Sequence, residues 1–324
     1  MPATTTADLI DAIAERLAGD YVFPELGQRA AAHLQHRLEE GAYPGSPSPD
    51  VCRLISNDLL ETSQDKHLRL LWHEANEEDT EIDPVAALRA RIIRENHGVY
   101  RAERLPGNVG VVALTIIPEA STGAPTMTAA MQLICHTKAL ILDLRQTLGG
   151  SPDGVVFLAS HFFPDGETHL GDFVEDGGKQ VRQFWTSPYL PGPRYLDRPV
   201  YVLTGAATFS GGEALAYDLQ AHGRAAVVGS VTGGGAHPSE VVHLTDHVEL
   251  RLPVARPINA VTQDNWEGVG VRPDLEVAEI DALDTAYRAA LAAIVADETG
   301  DTATVLEAET VLRSLREAED SKVG

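Results

Sequence analysis

The chain has 324 residues, 44% of them hydrophobic, and its 48 acidic against 25 basic side chains leave a net charge of −23. A field of that sign repels nucleic-acid phosphates and anionic membrane surfaces, and no basic patch reverses it locally, so both partner classes are excluded. No uninterrupted run of about 18 apolar residues is available to cross a membrane, and Cys52 and Cys135 are too few and too unpatterned for a disulfide framework or a thiolate zinc site.

The N-terminal stretch places Leu9, Ile10, Ile13 and Leu17 on one helical face, without the basic start and apolar run of a signal peptide. Together with the two unpaired thiols this predicts a cytoplasmic protein. A second helix restarts at Phe23-Pro24-Glu25 and runs through Leu38. Ser48-Pro49-Asp50 caps a third that carries Val51, Leu54, Ile55 and Leu59. Residues 1–78 therefore read as a helical bundle. The acidic stretch Glu74 to Glu81 reads as solvated chain, and 79–105 as a connecting segment.

From 106 to 278 the pattern is strand alternating with helix, which argues an α/β core. Gly110 to Ile117 is a strand, Thr126 to Thr137 a helix, and Ala139 to Leu144 an apolar run of the kind buried central strands show. A helix follows from about Asp153 to Phe162. Residues 164–198, rich in glycine, proline and aromatics, suggest hairpins and loops. Strands at Arg198 to Thr204 and Ala225 to Gly229 flank a helix from Glu213 to Ala221. Residues 279–324 are helical again, with a break near Gly300.

Two turns carry candidate chemistry. In Thr208-Phe-Ser210-Gly-Gly-Glu213 a serine stands where a strand gives way to a helix, so its hydroxyl lies at the positive end of that helix and small neighbours admit a carbonyl to backbone N–H groups. The same letters, Ser210-x-x-Glu213, also spell a capping box, in which the serine only satisfies helix N–H groups. The second turn, Asp143-Leu-Arg145-Gln-Thr-Leu-Gly149-Gly150, follows a buried strand and offers further N–H groups. It matches neither the dinucleotide fingerprint nor the phosphate-loop lysine pattern. His33-x-x-His36 and His67 with His73 lack a third ligand at metal spacing, so no metal site is expected.

The order of these elements, with Val228-Gly-Ser-Val-Thr232-Gly-Gly-Gly-Ala and Asn265-Trp-Glu267-Gly-Val-Gly-Val-Arg-Pro273-Asp274 after them, resembles the tail-specific (C-terminal processing) serine peptidases. The helical N-terminus, Asn108-Val-Gly110 and the Asn265-Trp266-Glu267 segment make the chain most similar to the branch holding the tricorn core peptidases and the interphotoreceptor retinoid-binding modules. The resemblance spans about Asp8 to Glu276. It implies a crotonase/Clp-protease-like core preceded by a helical bundle, with no PDZ domain between His67 and Asn108.

The resemblance also implies a site. The lysine that processing peptidases use falls on Gly235, whereas His67 matches the Asp-x-His element of the tricorn-like branch and Glu267 its acidic residue. Ser210 is then the nucleophile, His67 the base, Glu267 its orienting carboxylate, and Gly211 with Gly149 or Gly150 the oxyanion donors, with no cofactor. Lys66 stands where the tricorn pattern has a hydroxyl residue, and Leu148 where asparagine or glycine is usual. His237, in Gly233-Gly-Gly-Ala-His-Pro238, is the rival base, and the other ten histidines read as structural. The expected substrate is a peptide, a small amide or ester being the neighbouring case. A non-catalytic carrier of an apolar ligand is the alternative from another class.

Overall fold

The computed structural model describes residues 5–74, 84–175, 178–297 and 300–323. In chain order the helices are α1 (Thr6–Asp20), α2 (Pro24–Glu39), α3 (Pro49–Ser63), α4 (Pro84–Arg94), α5 (Ala120–Ile134), α6 (Pro152–Ala159), α7 (Gly211–Ala221), α8 (Ala282–Ala296) and α9 (Thr302–Val323). The strands are β1 (Arg69–Trp72), β2 (Val99–Leu105), β3 (Val109–Leu114), β4 (Ala139–Asp143), β5 (His169–Glu175), β6 (Gln180–Trp185), β7 (Val200–Thr204), β8 (Ala226–Gly229), β9 (Ser239–His243), β10 (Val248–Pro253), β11 (Ala255–Asn259) and β12 (Leu275–Glu276). They fall into two units. One holds Met1–Ala87, Gly171–Gln183 and Gly235–Gly268; the other holds Leu88–Leu170, Phe184–Gly234 and Val269–Gly324.

In the first unit α1 starts on a complete capping box, in which Thr5 Oγ1 accepts from the Asp8 N–H at 3.1 Å and Asp8 Oδ2 from the Thr5 N–H at 3.0 Å. Prolines open α2 and α3, where a missing N–H costs nothing, and Ser48 Oγ caps Val51. The apolar stripe Leu9, Ile10, Ile13 and Leu17 is completely buried against Leu34, Ile55 and Leu59. Each such side chain contributes about 1.5–3 kcal/mol through burial. A sheet completes this core, which the helical reading of 1–78 does not include. β1 pairs antiparallel with β10, Leu70 opposite Leu250, and β10 with β9. A four-residue strand whose partner lies about 180 residues later leaves no local signature. Residues 171–175 of β5 pair with β11 in the same unit. The acidic 74–81 stretch lies, from residue 75 on, outside the described residues, as do residues 176 and 177.

The second unit is built on a six-stranded sheet of order β12-β8-β7-β4-β3-β2. Its pairs are parallel except β2 with β3, which run antiparallel. The 79–105 stretch is thus more than a connection. It carries α4 and β2, and β2, Val-Tyr-Arg-Ala-Glu-Arg-Leu, is a sheet edge whose charges obscure its strand character. By contrast β3 and β4 are buried along their whole length, which explains their unbroken apolar sequences. Val109, Val111, Ile141, Leu203 and Val228 pack against Ala282, Ala286, Ala290 and Leu291 of α8. Among the described residues no helix is long and apolar enough to cross a membrane.

Candidate active site

In the second unit Ser210 sits at the junction the sequence predicts, between the loop after β7 and the first turn of α7. Three hydrogen bonds aim the loop: Thr208 Oγ1 donates to Leu144 O at 2.8 Å and accepts from Gly205 N at 3.0 Å, and Phe209 N donates to Thr147 O at 3.0 Å. Ser210 has φ 51° and ψ −117°. A side-chain-bearing residue there stores about 1–3 kcal/mol of strain, so the surroundings must hold it. Glu213 does much of that holding. Fully buried, it accepts from Ser210 N through Oε2 at 2.8 Å, and through Oε1 from Gly234 N at 2.6 Å and Thr232 Oγ1 at 2.5 Å. The capping-box reading accounts for the first of these bonds only. The others tie the serine turn to the 232–234 glycine turn.

The Asp143–Gly150 turn packs against the same point. Gly149, at φ +152°, accepts from Ile117 N through its carbonyl at 3.0 Å. A Cβ on Gly149 would lie 3.6 Å from Ser210 Cβ and 4.0 Å from Ser210 Oγ, and one on Gly211 would lie 2.7 Å from Gly150 N. Bare backbone therefore meets bare backbone beside the serine, at the end of α7 where the helix dipole is positive. Leu148, next to Gly149, is 66% exposed.

In the first unit His67 and Glu267 come together around a residue that the sequence presents only as part of the Asp-x-His element. Asp65, 1% exposed, accepts from His67 N through Oδ1 at 2.9 Å, and its Oδ2 lies 2.8 Å from His237 Nδ1 and 3.3 Å from Tyr21 Oη. Glu267 Oε2 accepts from Ala236 N at 2.5 Å and His237 N at 3.3 Å. Trp266 Nε1 donates to Gly235 O at 3.0 Å, and Phe23 packs edge-on to the His237 ring at 5.2 Å. One ligand-type atom each of Asp65, His67 and Glu267 lie within 4.8 Å of one another. Asp65 is thus in hydrogen-bond contact with a ring nitrogen, that of His237. Lys66 points to the exposed side.

Burial holds the His67 imidazole well below its ordinary value, at about 4, opposed by Asp65 and reinforced by Arg69, His237 and Arg251. It is neutral at physiological pH, the form that accepts a proton. Burial raises the Glu267 carboxyl, against the pull of His237 and the two backbone N–H groups. Of the remaining histidines, His73 Nε2 lies 3.1 Å and His243 Nδ1 3.4 Å from the two oxygens of Glu249, with both rings exposed.

Residues 108–277 match the model of peptidase family S41. The chain belongs to this family. The matched stretch contains Gly149, Ser210, Gly211, His237 and Glu267 and begins after His67. This S41 member is 26% identical over 142 residues to the carboxy-terminal-processing protease of Bartonella bacilliformis, covering 44% of the present chain and 31% of that protein's length. Its fold is shared with a lipoprotein from Streptococcus agalactiae (TM-score 0.62, 15% identity, 91% of this chain and 98% of that one). The tricorn protease is a further match (TM-score 0.55, 12% identity, 95% of this chain and 36% of that one).

Proposed function

We propose that this S41 chain is a serine peptidase in which Ser210 is the nucleophile and His67 its base. Ser210 Oγ adds to the carbonyl carbon of the scissile peptide while its proton passes to the neutral imidazole of His67. The resulting oxyanion takes hydrogen bonds from the N–H of Gly211 and of Gly149 or Gly150. Collapse of the intermediate breaks the C–N bond, and the imidazolium returns the proton to the leaving amine. Water then repeats the sequence on the acyl-enzyme, freeing Ser210 and the acid product. Every proton and electron pair is carried by these groups and water.

The observation that carries this reading is the strained Ser210 turn with the Gly149–Gly150 backbone against Gly211. Backbone strain is a recurrent property of nucleophiles presented at strand-to-helix turns. Glu267 serves in this proposal as the negative charge near the imidazolium. At no more than 4.8 Å it stabilises that cation by about 3 kcal/mol at an effective dielectric constant of about 20. The Asp65–His237 contact favours one second reading, in which His237 backed by Asp65 is the base. Comparing His67→Ala with His237→Ala separates them, since only loss of the true base removes turnover by orders of magnitude.

The decisive test is covalent labelling. A serine-directed phosphonate probe should modify wild type at Ser210 and leave Ser210→Ala unlabelled, while peptide libraries and small esters offered in parallel identify the substrate class. A chain that binds apolar ligands and neither reacts with the probe nor turns over any substrate would be a carrier, and the peptidase reading would fall.

A further inference from the structure

We propose that Asp65, His67 and Glu267, with His237 beside them, form a zinc-binding site whose occupation switches the peptidase off. The binding claim stands on the cluster alone. The switching claim rests on the function proposed above.

Three ligand-type atoms from residues 65, 67 and 267 lie within 4.8 Å of one another, and His237 Nδ1 is 2.8 Å from Asp65 and 3.5 Å from Glu267. In a tetrahedral zinc site with bonds of roughly 2.0–2.2 Å, ligand atoms stand roughly 3.3–3.6 Å apart. The Glu267-to-His237 separation is already in that range; His237 and Asp65, now at hydrogen-bond distance, must part by about 0.5 Å, and the other pairs reach it by side-chain movements of about 1 Å. The donor set, imidazole nitrogens with carboxylates, suits zinc rather than calcium or magnesium, which demand six or more oxygens including water. The site is nearly dry: Asp65, His67 and His237 are 1%, 7% and 5% exposed. Tyr21 borders it at Asp65 and Phe23 at His237.

A second observation points the same way. Glu267 Oε1 is buried with no hydrogen-bond partner among the described residues, although Oε2 of the same group takes two N–H bonds. A buried carboxylate oxygen is an expensive group to leave unsatisfied, and a cation satisfies it. Two carboxylates near each other, the buried Asp65 and the half-buried Glu267, also repel each other, and a divalent ion between them removes that cost. Once the His67 lone pair is engaged by the metal, it can no longer take the proton of Ser210.

The test uses the full chain stripped with EDTA, desalted, and titrated with zinc chloride against a chromophoric competing chelator. Wild type and Ser210→Ala should each bind one zinc ion tightly. His67→Ala and Glu267→Gln should each weaken that site at least about tenfold, whereas His243→Ala, on the exposed Glu249 cluster, should leave it unchanged. Circular dichroism shows which variants fold, and Glu267→Gln, which keeps volume and hydrogen bonding, serves if His67→Ala does not. Peptide hydrolysis by wild type should disappear at one equivalent of zinc and return with EDTA. Undiminished zinc affinity in Glu267→Gln, or its loss in His243→Ala, overturns the site. If Ser210-dependent hydrolysis is seen and zinc neither binds nor inhibits, the metal site falls and the peptidase reading survives. If zinc binds through these residues and no Ser210-dependent hydrolysis exists, the peptidase reading falls together with the switch, and the site stands.

Discussion

Asp65 and His237 are 172 residues apart in sequence, and their side chains meet at 2.8 Å, Oδ2 to Nδ1. Asp65 also receives the backbone N–H of His67 and the hydroxyl of Tyr21, so one buried carboxylate organises both histidine-bearing segments. Removing it takes the acceptor from the His67 N–H and the Tyr21 hydroxyl and the nearer of two carboxylates from His237. Asp65→Ala should therefore destabilise the chain by about 3 kcal/mol or more, read as a lower urea midpoint at constant slope. Asp65→Asn, able to accept only through one oxygen, should recover part of that loss. Equal stability of wild type and Asp65→Ala would show that the carboxylate organises nothing.

Ser210 offers a test that separates strain from chemistry. Ser210→Ala keeps a Cβ at φ 51° and should lose hydrolysis by at least about three orders of magnitude with an unchanged melting temperature. Ser210→Gly should be equally inactive yet more stable than Ser210→Ala by about 1 kcal/mol, because glycine adopts that backbone without cost. If glycine proves no better than alanine, the turn is not strained.

Glu213 is expected to matter for stability in a way its position in a capping box does not suggest. Its carboxylate accepts from Ser210 N, Gly234 N and Thr232 Oγ1 in a fully buried setting. In Glu213→Gln the amide nitrogen must face a donor, so about 2–3 kcal/mol should be lost, with activity falling as the serine turn relaxes. Exposed capping-box glutamates contribute about 1 kcal/mol or less, so a change that small would mean the two bonds to the 232–234 turn are energetically empty.

The pH dependence follows from the depressed His67 value. Between its ordinary 6.5 and the folded value of about 4, the unfolded chain binds a proton that the native chain does not, so stability rises with pH through that window and is lost as pH falls through it. The His67 share of this loss is on the order of 3 kcal/mol, and His67→Ala should show a correspondingly flatter stability profile from pH 6.5 to 4. In chelator-containing buffer the acid limb of kcat/KM should likewise lie below pH 6. A limb at or above 6.5 would move the base away from His67.

Glu267→Gln distinguishes charge from scaffolding. The glutamine carbonyl can still accept from Ala236 N, at the position where Oε2 now sits 2.5 Å away. Stability should then change by less than about 1 kcal/mol, while kcat drops at least about a hundredfold as the charge that steadies the imidazolium is lost. Single-turnover hydrolysis and thermal unfolding on one preparation decide it. A destabilised variant with normal turnover per folded molecule would return Glu267 to a purely structural role.

Where chemistry is written into neighbouring residues, the sequence is legible. The stripe from Leu9 to Leu17, the prolines that open α2 and α3, the wholly apolar β4 and the serine between loop and helix follow from periodicities of 3.6 and 2 and from capping rules that act within a few residues. The ordered set of turns around Gly149, Ser210, Thr232 and Glu267 was enough to point to the peptidase family. Other features come from residues that meet only after folding. The pairing of β1 with β10, the grip of Glu213 on the 232–234 turn, the seating of Glu267 on the Ala236–His237 backbone and the Asp65–His237 pair each join segments between about 20 and 180 residues apart. A carboxylate accepts from whichever donor the fold brings within 3 Å, and its own sequence neighbours carry no record of that donor. For that reason Glu267 was legible as an acid of the site from its Asn-Trp-Glu-Gly surroundings, while the tertiary structure alone decided that its hydrogen bonds go to the 236–237 backbone and that Asp65 is the partner of a histidine ring.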